Sequence, residues 1–135
     1  MATIQRFEDL QSWQKARQLA NAVYDLTDQP GFARDFKLRD QIRDAAGSVM
    51  HNIAEGFDSG TDPEFIRFLK IARRSASEVQ SELYLALDRK YIALHDLKTA
   101  YDLATEAKRL INGMIAYLRK QSSSRAAGKP RKPAK

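Results

Sequence analysis

The chain has 135 residues, of which 43% are hydrophobic and 30% charged, and this composition suits one domain with one apolar core. It contains no cysteine, which excludes a disulfide framework, a thiolate nucleophile and a sulfur-ligated metal. No apolar run approaches the roughly 20 residues of a membrane span, and the first residues lack the apolar segment of a signal peptide, so we expect a cytoplasmic protein.

The first two predicted helices follow from apolar side chains that recur every three or four residues. The first runs from Leu10 to Thr27 and ends at Asp28-Gln29-Pro30-Gly31, where Pro and Gly break a helix. The second runs from Phe36 to Phe57 and ends before Asp58-Ser59-Gly60. Its predicted core stripe is Leu38, Ile42, Ala45, Val49, Ile53 and Phe57.

The third predicted helix begins at Thr61, where Thr61 and Glu64 form a capping box and Pro63 suits the first turn. It runs to Arg89. Its stripe of Phe65, Leu69, Ala72, Ala76, Val79 and Leu83 has the alternating spacing of a bundle seam. The fourth runs from Asp96 to Lys120, with the stripe Leu97, Tyr101, Ala104, Lys108, Ile111, Ile115 and Leu118.

These elements predict an all-α protein in which residues 1–120 form an antiparallel, up-down four-helix bundle. The rest of the chain, residues 121–135, is predicted to be a disordered basic tail. A second apolar stripe on the fourth helix (Leu103, Leu110, Met114 and Tyr117) and extra apolar residues on the third (Phe68, Ile71 and Leu85) are compatible with self-association or with a wider core.

A polar stripe accompanies the core stripes of the second and third helices. Its members are Gln41, Ser48, Asn52 and Glu55 on the second helix and Ser75, Glu78 and Glu82 on the third. We expect a buried hydrogen-bonded network that fixes helix register, in which Asn52, Glu55 and Glu78 are structural residues. The alternative is a metal or ligand site lined by Glu55, Glu78 and Glu82.

Basic residues form two further groups that could bind nucleic acid. Five lie on the predicted helices, namely Arg39, Arg43, Lys70, Arg73 and Arg74, and four lie in the tail, namely Arg125, Lys129, Arg131 and Lys132. The tail has five of the chain's 23 basic residues and no acidic one, so residues 1–120 carry 18 basic and 17 acidic side chains. A phosphate-binding surface and an ordinary charged, solvated surface are both open interpretations.

Motifs of catalysis are missing from the sequence. The two histidines, His51 and His95, stand in no Glu-x-x-His or His-Glu-x-x-His motif, and no phosphate-binding glycine loop occurs. Ser48 and His51 share a helical turn without an evident third group to orient them. We therefore expect a non-catalytic binding protein with no metal and no other cofactor.

Four stretches resemble one known family: Phe7-x-Asp9-Leu10-x-x-Trp13-x-x-Ala16, Gln41-Ile42-Arg43-x-Ala45, Asn52-Ile53-Ala54-Glu55-Gly56-Phe57 and Phe65-x-x-Phe68-Leu69-x-Ile71-Ala72. The family is the four-helix bundle proteins encoded within intervening sequences of bacterial large-subunit ribosomal RNA genes. The accessory variability protein of diversity-generating retroelements is similar to them. The resemblance covers Phe7 to Leu118, and the Asn-Ile-Ala-Glu-Gly run is its most specific part.

The resemblance implies a homopentameric ring, and in the retroelement branch a basic surface that binds RNA or DNA together with a reverse transcriptase. The family's Asn and Glu fall on Asn52 and Glu55, and its later acids on Glu78 and Glu82. The chain departs from the family at Met50-His51, where Pro-Ser is common, and at Arg74, where Gly is common. A protein-interaction scaffold without nucleic-acid contact is the alternative function, and a metal-binding or small-ligand bundle is a third.

Overall fold

A computed structural model describes residues 3–126, and within that range every regular element is helical. A 3-10 turn, Phe7–Asp9, precedes five α-helices, and none of the described residues forms a strand. The helices are α1 (Gln11–Thr27), α2 (Pro30–Arg34), α3 (Phe36–Asp58), α4 (Asp62–Asp88) and α5 (Leu94–Ala126). The predicted helical class is confirmed.

The short helix α2 occupies part of the segment predicted as a break. Pro30 stands in its first turn, where the missing N–H and the fixed φ of proline are compatible with a helix. Phe32 anchors it, because this ring is fully buried and stacks on Tyr91 with 5.4 Å between ring centroids. The Asp35 carboxylate then caps α3 by accepting from Leu38 N at 3.1 Å and from the Tyr91 hydroxyl at 2.9 Å. These two hydrogen bonds lower the pKa of Asp35.

The four long helices each pack against two others. Helix α1 contacts α3 and α5, and α4 also contacts α3 and α5. Contacts between α3 and α4 join Ser48 to Ser75 and Phe57 to Phe65, so residue numbers fall along one helix as they rise along the other. The same holds for α4 and α5, which contact each other through Arg73 with Asn112, Gln80 with Thr105 and Ser122 with Asp62.

The core includes the stripes that the sequence predicts on α3 and α4, all of whose members are buried, together with buried side chains of α1, α2 and α5. Gly56 marks a close approach of helices α3 and α4. A Cβ atom at position 56 would lie 2.8 Å from Phe65 Cδ1 and 2.8 Å from Phe68 Cβ. Only glycine therefore lets α3 and α4 pack this tightly near their connecting turn.

The C-terminal boundary differs from the prediction. Helix α5 continues to Ala126, so residues 121–126, which we assigned to a disordered tail, are helical. The contact of 3.5 Å between Ser122 Oγ and an Asp62 carboxylate oxygen gives this last part of α5 a tertiary partner that the sequence pattern does not reveal. The remainder of the predicted tail lies outside the described residues.

Candidate nucleic-acid interface and polar seams

Three members of the predicted polar network are joined between α3 and α4. The hydroxyls of Ser48 and Ser75 are 2.9 Å apart, and the Asn52 amide nitrogen donates to Ser48 O at 2.8 Å and Ser48 Oγ at 2.9 Å. Ser75 is buried, whereas Ser48 and Asn52 are half-buried. The hydroxyl of Ser48 is thus committed to a structural contact and makes none with His51, the partner that a catalytic pair would need.

The other members correct the prediction of a fully buried network. Gln41, Glu55 and Glu78 are exposed in the chain, and only Glu82 is half-buried. Gln41, Ser48 and Glu55 follow one another at seven-residue spacing and share one face of α3, so their different burial depends on how far α4 covers that face at each position. A polar stripe that lies beside an apolar stripe is buried only where the neighbouring helix covers it.

Glu82 is the one acidic side chain of this stripe with an unusual environment. Its Oε1 atom is buried and accepts no hydrogen bond from any described residue. Half-burial disfavours the charged form, and the neighbouring charge of Glu78 adds to the effect, so that the pKa of Glu82 rises to about 7. Part of the protein population therefore carries a protonated Glu82 at neutral pH.

The alternative interpretation, a metal site, is not supported by this geometry. No group of three or more His, Asp or Glu side chains in the described range is arranged to hold a metal ion. A shallow pocket of about 680 Å³ lies at the α3–α4 turn, lined by His51, Ala54, Glu55, Asp58, Ser59 and Phe68. Glu78 and Glu82 do not line it.

The structure separates the predicted nucleic-acid-binding residues into two groups. Arg43 connects α3 to α1, since its Nε donates to Thr27 Oγ1 at 2.7 Å and its guanidinium pairs with Asp28 at 3.0 Å and covers the Tyr24 ring at 4.6 Å. Arg39 donates to Ala33 O at 3.2 Å and pairs with Asp40 at 2.9 Å. Both guanidiniums are thus engaged within the chain, in contacts that hold α1 and α2 onto α3.

The second group lies on α4. Lys70 and Arg74 are exposed and form no ion pair with any described residue, and Arg73 is half-buried. Their spacing places Lys70 and Arg74 on the side of α4 away from its core stripe. Arg125 belongs to the last turn of α5, and its side chain lies outside the described part, as do Lys129, Arg131 and Lys132.

A second polar seam, which the sequence analysis missed, runs between α4 and α5. Arg73 Nη1 donates to Asn112 Oδ1 at 2.7 Å, and Lys108 Nζ donates to Ser77 Oγ at 3.0 Å and Gln80 Oε1 at 2.9 Å. The Gln80 amide nitrogen in turn donates to Thr105 Oγ1 at 2.9 Å. One signal was present: Lys108 interrupts the apolar stripe of the fourth predicted helix, where a cation needs polar partners from a neighbouring helix.

Tyr84 and Tyr101 stand at one end of this seam. Their ring centroids are 5.8 Å apart in an edge-to-face arrangement, and the Gln80 amide nitrogen reaches Tyr101 O at 3.2 Å. Tyr84 is 50% exposed. We use the name α4–α5 seam for the row of contacts that begins at the Arg73–Asn112 pair and ends at the Tyr84–Tyr101 pair.

Fold and site together define a class: a helical protein whose long helices pack around one core, with polar seams on its surface and charged residues that are only partly paired. In the described range no helix is long and apolar enough to cross a membrane.

The chain belongs to the 23S rRNA-intervening sequence protein family, whose model matches residues 8–113. A crystal structure from Bacteroides thetaiotaomicron, of a protein of unknown function in the S23 ribosomal protein family, is similar in fold, with a TM-score of 0.72 and 23% sequence identity. The similarity covers 78% of this chain and 95% of that one. Comparison with curated proteins finds no match.

Proposed function

We propose that this protein is a non-catalytic, oligomeric nucleic-acid-binding subunit, an accessory factor of a ribonucleoprotein. The observation that carries the proposal is the group of α4 cations, Lys70, Arg73 and Arg74, which form no ion pair with a carboxylate of the described chain. Unpaired surface cations attract phosphates, and phosphate contacts supply most of the sequence-independent affinity for nucleic acid.

Oligomerisation is part of this proposal because one subunit has little net charge outside residues 121–135. An assembly repeats the α4 cations and the basic C-terminal residues several times, and multivalent attachment raises avidity without any new kind of contact. We propose that each subunit is an up-down four-helix bundle and that the assembly is a homopentamer, as the family resemblance implies.

The second apolar stripes support self-association. Tyr117 and Leu85 are exposed in the single chain, with Leu85 at 50%, while Leu103, Leu110 and Met114 are only half-buried. Light scattering on dilute protein tests this part. We expect a particle of about five times the 15.3 kDa subunit mass, and a 15.3 kDa species would contradict oligomerisation.

Fluorescence anisotropy with labelled RNA and DNA at low salt tests the binding itself. We expect weak, sequence-tolerant binding that declines steeply with salt, by about one unit of log–log slope for each phosphate neutralised. The double variant Lys70→Ala/Arg74→Ala should bind more weakly and with a smaller salt slope. Its matched control is Arg34→Ala/Lys37→Ala, which removes two exposed cations from α2 and α3.

A shortened chain that ends at Ala126 tests the contribution of the C-terminal basic residues. This end point preserves α5 and the contact of Ser122 with Asp62. We expect weaker binding and a flatter salt dependence. If the intact protein fails to bind any RNA or DNA at micromolar concentration, nucleic-acid binding is wrong.

A protein-interaction scaffold is the second candidate, with a reverse transcriptase as one kind of partner. The observation that favours it is the exposure of Phe36 and Leu94, at 64% and 68% respectively. Large exposed apolar side chains are common at protein–protein interfaces. This function would be established instead if the protein binds no nucleic acid and if Phe36→Ser or Leu94→Ser abolishes binding to a protein partner.

A further inference from the structure

The cations of the α4–α5 seam are held in place without being neutralised. The ion pairs between basic side chains and carboxylates in the described range use other cations: Arg6, Arg39, Arg43, Arg67, Lys98 and Arg109. Arg73 and Lys108 instead donate to neutral partners, an amide oxygen of Asn112 in one case and the Ser77 hydroxyl and Gln80 amide in the other. No carboxylate of the described range therefore pairs with either cation.

Both cations also keep free donors. A lysine ammonium has three N–H donors, of which Lys108 uses two. An arginine guanidinium has five, of which Arg73 uses one. An anion at the seam would thus meet side chains that are already oriented, and binding it would cost less side-chain entropy than ordering free surface lysines.

An aromatic surface lies at one end of the same seam. Tyr84 presents a half-exposed ring, and the edge-to-face contact with Tyr101 limits its freedom to turn. A tyrosine with its ordinary pKa of about 10 is neutral at physiological pH, and the adjacent Tyr101 raises the pKa of Tyr84 further. Arg73 and Tyr84 are eleven positions apart on α4, which corresponds to about 16 Å along the helix.

Resting on the nucleic-acid binding proposed above, we propose that the α4–α5 seam is a track for single-stranded nucleic acid, in which Arg73 and Lys108 contact phosphates and Tyr84 stacks on a base. Oriented cations followed by an exposed ring are the two components of single-strand binding sites. A duplex keeps its bases stacked inside, so it can use the cations but not Tyr84. The site therefore selects for unpaired strands and tolerates any base.

The test measures anisotropy with a labelled 12-nucleotide RNA, alone and annealed to its complement, for the full chain and four variants. Tyr84→Ala should weaken single-strand binding about 5- to 150-fold, the range for loss of one stacked base, and leave duplex binding unchanged. Tyr84→Phe keeps the ring and should bind within about twofold of the wild type. Tyr24→Ala, which removes a similarly exposed tyrosine from α1, is the matched control and should leave single-strand binding unchanged.

Lys108→Gln tests the phosphate contact. We expect the slope of log affinity against log salt for the single strand to fall by about 0.7, the contribution of one phosphate in a single strand. Ultraviolet crosslinking of the wild type to a 5-bromouridine RNA, followed by mass spectrometry, gives a readout that does not depend on variant folding. Crosslinks on Tyr84 or Tyr101 are expected.

The outcomes separate the two proposals. If single strand and duplex bind equally, Tyr84→Ala binds like the wild type and crosslinks fall outside the seam, the single-strand track is wrong while nucleic-acid binding stands. If the wild type binds neither RNA form, nor single-stranded or duplex DNA, nucleic-acid binding itself is wrong and the track falls with it.

Discussion

Replacing Glu82 by Gln should stabilise the folded protein at and above neutral pH. In the native chain the carboxylate is half-buried, its Oε1 atom accepts no hydrogen bond from a described residue, and Glu78 adds a like charge nearby. Glutamine has nearly the same shape and no charge. The substitution therefore removes the cost of an ionised group in this position and leaves the packing between α3 and α4 intact.

The sign and size of the effect follow from the pKa of Glu82, which rises from an ordinary 4.5 to about 7 on folding. The folded state holds this proton more tightly, so the contribution of Glu82 to stability is greatest below pH 4.5 and is lost as the pH rises through about 7. The full change in pKa corresponds to about 3.4 kcal/mol. Because the side chain is only half-buried, solvent screening reduces this to about 1–2 kcal/mol.

Thermal unfolding followed by circular dichroism between pH 4.5 and 8 measures the effect. Protein concentration must be held constant, since the melting temperature of an oligomer depends on it. At pH 8, Glu82→Gln should melt about 3–10 °C above the wild type, and at pH 4.5 the two should coincide. Glu78→Gln should remove a smaller part of the pH dependence, because burial has the larger effect on Glu82.

Glu55→Gln is the matched control, since Glu55 is an exposed glutamate on α3. Its stability should stay within about 0.5 kcal/mol of the wild type at every pH. A Glu82→Gln variant with the same melting temperature and the same pH dependence as the wild type would refute the reasoning.

Three further substitutions distinguish structural residues from binding residues. Arg43→Ala should destabilise the fold by about 1–2 kcal/mol through loss of its hydrogen bonds to α1, and a chemical denaturation curve that leaves its midpoint unchanged would count against this. Asn52→Leu should alter stability or assembly, by about 1 kcal/mol for the lost hydrogen bonds, and leave nucleic-acid affinity per folded molecule unchanged; normal stability with abolished binding would reverse that assignment. Gly56→Ala should lower the free energy of unfolding by about 1–3 kcal/mol through overpacking. Its control is Gly113→Ala, where a Cβ meets open space, and this substitution should stabilise α5 by about 0.5–1 kcal/mol. Equal effects of the two alanines would contradict the close approach at position 56.

Several properties of this protein are determined by local sequence. Apolar residues at three- and four-residue spacing specify helices, and the predicted core stripes of α3 and α4 are buried throughout, because one helical face must be removed from water whatever it packs against. In the predicted stripe of α5, Tyr101 and Lys108 are only half-buried. Thr61 begins α4 as expected by accepting from Glu64 N at 3.4 Å. The reciprocal half of the predicted capping box is replaced, since the Glu64 carboxylate pairs with Arg67 at 2.9 Å.

Only the tertiary structure decides what happens at the edges of each helix. Helical periodicity gives the angle of a side chain around its own axis, but whether that angle meets solvent or a neighbouring helix depends on where the neighbour packs. Arg43 and Arg73 look alike in sequence, yet Arg43 is paired with Asp28 and Arg73 is held by a neutral amide. In the same way Glu78 is exposed while Glu82, one turn later, is half-buried, because burial beside a core stripe is a property of two helices and not of one.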